Sequence, residues 1–112
     1  MAIYKILRAP EWANLLYHGE TPGAPIDVAD GYVHFSTAAQ LLETAQKHFA
    51  GETGLTILRL EEETLGDALR WEPSRGGQLF PHLYRHLRLS DISWARPMGT
   101  GAGGHALPDG VA

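Results

Sequence analysis

Between Tyr32 and Gly51 the apolar residues change their period once, from two to about 3.6, with no loop between the two patterns. In the first pattern Val33 and Phe35 face one way while Tyr32, His34 and Ser36 face the other, which predicts a short strand. In the second, Ala38, Leu41, Leu42, Ala45 and Phe49 form the stripe of an amphipathic helix that Gly51 ends. Thr37 and Gln40 have the spacing of a capping box, so the helix begins as soon as the strand stops.

Residues 2–8 read as a strand rich in Ile and Tyr. Pro10 suits the first turn of a helix in which Trp12, Leu15 and Leu16 make the stripe, His18 sits in the last turn and Gly19 is the stop. Residues 20–30, with two prolines, one glycine and three acids, read as a long loop of the kind that borders a site. Residues 55–61 predict a buried strand and residues 62–69 a turn or short helix. Residues 69–73 predict a strand with Arg70 and Glu72 on one face and Leu69 and Trp71 on the other. After a turn at 74–77, residues 78–84 are extended, with Phe80, His82 and Tyr84 on one face; Pro81 assigns this stretch to a sheet edge or a bulge. Residues 92–98 give a last strand. Five glycines in the fourteen residues from Gly99, with few apolar anchors, predict a flexible tail over 99–112 behind a single domain over 1–98. Short strands interleaved with two helices make the fold class α+β.

Composition narrows the function classes. A chain of 112 residues can bury one modest core. It has no cysteine, which excludes a disulfide frame, a thiolate zinc site and a cysteine nucleophile. With no apolar run behind a basic start, the expected compartment is reducing and cytoplasmic. No apolar stretch approaches the roughly 20 residues that cross a bilayer, so no membrane is expected. A net charge of −4 argues against a nucleic-acid partner. The arginines at 70–75 and 85–88 suit either a local anion site or surface pairing with glutamates. A small-molecule ligand is the expected partner; the oligomeric state stays open.

The residues with chemistry to offer gather in two stretches. His34 and Ser36, two apart on one strand face, lie about 7 Å from each other, which suits contacts to different parts of one ligand. The start of the following helix, at Thr37, adds N–H groups and a positive dipole end. The plainer alternative makes His34 a satisfied structural histidine and Ser36 a lead into the helix. Phe80, His82 and Tyr84 suit stacking on a planar heterocycle or, equally, a half-buried sheet edge. Glu72, next to Trp71, is placed either for desolvation that raises its pKa toward general acid–base range or for an ion pair with Arg70 or Arg75. No metal is expected: His82 and His86 have helical spacing, but Pro81 argues against the helix, and no HExxH occurs. Ser36 lacks the glycines of a hydrolase elbow.

Three motifs in order, AIYKI, DGYVHFSTAAQL and WEPSRGGQLFPHLY, resemble those of the bacterial family called domain of unknown function 952, over roughly residues 2 to 98. The resemblance implies an ADP-ribosyltransferase-like (ADP-ribosylation) fold, with two small sheets around a cleft for NAD and two main helices. The ribose-contacting position of that superfamily falls at Lys5, where the family usually has His. The nicotinamide position falls at His34, Ser36 and Thr37, and the RNA 2′-phosphotransferase branch has a similar V-H-L-S stretch. The position that acts on the acceptor falls at Glu72 or His82.

Two readings follow. In the first the chain is an ADP-ribosyl-transferring enzyme with NAD as cofactor. Glu72 and His34 are then its catalytic residues, and Tyr32, His34, Ser36, Thr37, His82 and Tyr84 bind NAD. In the second it is a non-catalytic module that binds a nucleotide, a small metabolite or a protein. Both require His34, Ser36, His82 and Tyr84 to converge on one concave site.

Overall fold

A computed structural model describes residues 1–101 and 104–111. Its first sheet has the order β1-β4-β8, all antiparallel, from β1 (Ala2–Leu7), β4 (Thr56–Glu61) and β8 (Ile92–Pro97). Alternation sends Ile3, Leu7, Leu58 and Leu60 to one face, and Tyr4, Ile6 and Ile57 to the other, and each face carries its own apolar cluster. Leu15 of α1 (Ala9–His18) joins the first cluster; Leu41 and Ala45 of α3 (Ala38–His48) join the second. Each such Leu or Ile contributes about 1.5–3 kcal/mol by leaving water. Leu16, expected on the stripe of α1, is 52% exposed; Leu15 and the partly buried Trp12 carry that contact instead.

Both helices start as their sequences direct; α1 stops at Gly19 as expected, while α3 ends at His48, before the Gly51 stop. Arg8 N–H donates to Glu11 Oε1 at 2.9 Å, and Gly19, at φ 79°, returns its N–H to the Leu15 carbonyl. The capping box of α3 is formed: Gln40 N–H donates to Thr37 Oγ1 at 3.2 Å, and Thr37 N–H to Gln40 Oε1 at 3.0 Å.

The second sheet has the order β3-β6-β5, from β3 (Val33–His34), β6 (Leu79–Leu83) and β5 (Leu69–Pro73). Pro81 therefore lies in the central strand, not at an edge. Phe35 N–H donates to the Pro81 carbonyl at 3.0 Å, and proline has no N–H to return. The β3 ladder stops at His34, one residue short of that pair, so the missing donor falls where the short strand ends. Beyond it, Tyr4 and Ser36 exchange backbone hydrogen bonds of 2.8 and 2.9 Å, which ties the second sheet to β1.

Two segments differ from expectation. Residues 20–30 are not one loop: β2 (Glu20–Thr21) pairs with β7 (Leu87–Arg88), and α2 (Pro25–Asp30) follows. Pro25 opens α2, Asp27 accepts the Ala24 N–H at 2.7 Å, and Gly31 closes it at φ 87°. In the segment read as a tail, β9 (Gly99–Gly101) and β10 (Gly104–Ala106) form an antiparallel hairpin. Leu107 and Val111 pack on the second apolar cluster, and His105 Nε2 lies 2.7 Å from the Phe49 carbonyl. A glycine count hides these few anchors, which act because a half-covered sheet face lies beside them. Among the described residues no helix is long and apolar enough to cross a membrane.

Candidate functional site

The link between Tyr4 and Ser36 leaves a cavity of about 380 Å³ bordered by β1, β3, β6, α2 and α3. Lys5, Arg8, His34, His48 and His82 contribute to its wall, with Phe35, Phe49 and Phe80 as ring surface. No Asp or Glu is found among the described residues that line it. The counter-charges lie outside the wall: Arg8 is forked onto Glu52 at 2.7 and 3.0 Å, and Lys5 Nζ meets Asp27 Oδ2 at 2.8 Å.

Asp27 organises one side of this site. It is 1% exposed and accepts from Lys5 Nζ, from Ala24 N–H, from His34 N–H at 3.0 Å and from His34 Nδ1 at 2.5 Å. Burial pushes its carboxyl up, but the His34 hydrogen bond and the Lys5 charge outweigh this and bring it down to about 2. Lys5 stands on the β1 face shared by Ile3 and Leu7, so a charge in an apolar row is matched by a fully bonded carboxylate. The other His34 nitrogen, Nε2, lies 3.0 Å from Asp30 Oδ2.

A second carboxylate–imidazole pair stands opposite. His34 and His82 are register partners on β3 and β6, with ring centroids 5.4 Å apart. His82 is 2% exposed, and its Nδ1 lies 2.8 Å from Glu72 Oε1. Tyr84 Oη donates to the same oxygen at 2.6 Å. These two contacts hold the Glu72 carboxyl below its ordinary range. The upward shift expected from Trp71 is thus reversed, because the indole points elsewhere: its Nε1 donates to Glu62 at 2.9 Å. Among the described residues Glu72 does not pair with Arg70, and its bonds go to His82 and Tyr84; the Arg75 side chain of the alternative ion pair lies outside the described residues. The Tyr32 ring stacks on His82 at 4.1 Å and lies 4.6 Å from His34 and 5.2 Å from Tyr84.

The expected site residues are therefore partly gathered. His34, Ser36 and His82 share the main cavity. Tyr32 and Tyr84 line a neighbouring hollow of about 240 Å³, joined to the first through the rings of His34 and His82. Ser36 is buried, with its Oγ 2.9 Å from Thr44 Oγ1. Thr37 lines neither cavity and its hydroxyl caps α3. Glu72 also lies outside both walls. Asp27 was not among the residues singled out from sequence. The signal for it was Lys5 itself: a lysine in an apolar strand needs a buried counter-charge, and an acid at the third residue of a helix opened by Pro25 is placed to be both cap and partner.

The family described as "Protein of unknown function (DUF952)" matches residues 6–95. The chain belongs to this family. It is similar over nearly its whole length to protein CC0527 from Caulobacter crescentus. Against the crystal structure of that DUF952-like neighbour the identity is 42% and the TM-score 0.93, covering 99% of this chain and 98% of the other. Against the solution NMR structure the identity is 43% and the TM-score 0.83, covering 93% and 90%. No curated protein matches the chain. This DUF952 protein is thus a mixed α+β domain with several small sheets.

Proposed function

We propose that this DUF952 domain binds a small anionic ligand that carries a planar ring, with a nucleotide as the class that fits best. One observation carries the reading: the main cavity presents Lys5, Arg8 and three histidines next to three phenylalanine rings, with no described carboxylate in its wall. An anion meets the donors of Lys5 and Arg8 there, and a cation would meet no carboxylate in the described wall. At about 380 Å³ the cavity is near the lower end of the roughly 300–1,000 Å³ typical of small-molecule sites. It suits a mononucleotide-sized group, and a dinucleotide would extend from its mouth, where half-exposed Arg8 stands.

NAD is the specific ligand that the ADP-ribosyltransferase-like resemblance points to. Support for it is limited to His34 and Ser36 standing together in the wall. ADP-ribosyl transfer in the same cavity is the second reading, favoured by that same pair. Binding without transfer is favoured over it by Glu72, whose carboxylate is engaged by Tyr84 and His82 outside the cavity.

The test is calorimetric titration of NAD and of ADP into the purified domain, its Arg8→Gln variant and its His34→Ala variant. Saturable binding of either nucleotide is expected, weakened about tenfold or more by Arg8→Gln through loss of a charge-assisted contact. Absence of binding of both at millimolar concentration overturns the proposal. Release of nicotinamide from NAD by the wild-type domain would establish the transfer reading.

A further inference from the structure

His82, which lines the main cavity, carries a polar atom that the fold leaves without a partner. His82 is 2% exposed, and its Nε2 is buried with no hydrogen-bond partner among the described residues. A buried polar atom with nothing to bond is costly, and such atoms mark places where a ligand completes the structure. The rest of the ring is fully engaged. Tyr32 covers one face at 4.1 Å, and the Nδ1 edge meets Glu72 at 2.8 Å.

Glu72 determines what kind of group Nε2 is. A carboxylate can only accept, so at Glu72 Oε1 both Tyr84 Oη and His82 Nδ1 must be donors. Tyr84 thereby fixes the direction of the bond: its hydroxyl points at the carboxylate and cannot be offered to the imidazole. With the ring proton on Nδ1, Nε2 of the neutral imidazole carries a lone pair. Glu72 stands outside the cavity that His82 lines, and Nε2 is the ring nitrogen that Glu72 does not engage, buried behind that wall. Lys5 and the Arg8 guanidinium can only donate. The site therefore offers donors from β1 and from Arg8 just beyond it, and, from β6, a buried acceptor.

We propose that His82 Nε2 accepts a hydrogen bond from a ligand hydroxyl, so that the ligand of this cavity is a phosphorylated sugar or the ribose-phosphate part of a nucleotide, with Glu72 and Tyr84 as positioning residues that fix the His82 tautomer. This rests on the anionic-ligand reading above and narrows it: a ligand with an anionic group but no neighbouring hydroxyl satisfies Lys5 and Arg8 and leaves Nε2 bare. Glu72 takes a different role from that of an acid acting on an acceptor, which agrees with its place outside the wall.

Two measurements test this on the full chain. In the first, ADP and 2′,3′-dideoxy-ADP are titrated into the wild-type domain and into His82→Phe, which keeps a ring for Tyr32 to stack on. The expected result is about tenfold tighter binding of ADP than of the dideoxy compound by the wild type, with the preference lost in the variant. Equal affinity of the wild type for both overturns the inference while leaving the anionic-ligand reading intact; failure of both to bind overturns the two together. In the second, long-range ¹⁵N–¹H NMR spectra of the histidine rings report the tautomer without any ligand. His82 with its proton on Nδ1 in the wild type, and a mixed tautomer in Glu72→Ala with the domain still folded, is expected. A proton on Nε2 in the wild type overturns the inference even if ADP binds.

Discussion

At Asp27–His34 the carboxylate is 1% exposed and the imidazole reaches the surface. At Glu72–His82 the imidazole is 2% exposed and the carboxylate reaches it. The two pairs stand side by side on register-matched strands, yet the reversal of burial gives them different work. A buried charge must have its bonds filled, and Asp27 collects Lys5, Ala24 and His34 to do so, which makes that pair a joint between β1, α2 and β3. The buried imidazole of His82 has one nitrogen satisfied by Glu72 and the other without a partner among the described residues, a cost that a ligand would remove. Which member of a carboxylate–histidine pair is buried thus separates a structural joint from the binding position proposed above.

The largest expected effect breaks this comparison most directly. Asp27→Ala leaves Lys5 buried without a counter-charge and is expected to cost about 3–5 kcal/mol in urea unfolding. Glu72→Ala, measured alongside, is expected to leave the midpoint close to wild type, because Glu72 is at the surface and its partner ring stays packed under Tyr32. Equal losses in the two variants would show that burial does not distinguish the pairs.

A smaller effect concerns acid. Asp27 is lowered from 3.8 to about 2, so the folded state binds this proton less readily than the unfolded chain does. The resulting stability is fully present above pH 3.8 and is lost as pH falls through about 2, a contribution of about 2 kcal/mol. Unfolding free energies of wild type and Asp27→Asn measured across that window are expected to converge toward its lower end; a constant gap would place the acid sensitivity elsewhere.

The smallest effect sharpens the comparison with a polar residue outside both pairs. Thr37→Ala removes the cap of α3 and is expected to cost about 1 kcal/mol while leaving nucleotide affinity unchanged. Weaker nucleotide binding at unchanged stability would return Thr37 to the cavity wall.

The strands and helices whose signals are local were legible in the sequence. The capping box at Thr37 and Gln40, the Ile- and Tyr-rich strand β1 and the stop at Gly19 formed where their patterns put them. Pairing was not legible in the same way. Pro81 pointed to an edge, yet it lies centrally because the neighbouring strand ends where its N–H would be required. The hairpin at β9 and β10 and the short helix α2 were hidden by glycine and proline counts, since a count cannot register which few side chains meet an open core face.

By itself the sequence determined the α+β class, the family, and the presence of His34, Ser36 and His82 among the groups that face a cavity. Only the tertiary structure decided that Asp27 is the partner of Lys5, that Thr37 stays out of the cavity wall, and that Glu72 serves His82 from outside it. The physical reason is range. Helix caps and strand alternation are set by residues within four positions of one another, and those are written in order along the chain. A buried charge or an orphaned nitrogen is defined by groups 10 or 22 positions away, and the chain states their chemistry without stating their distance.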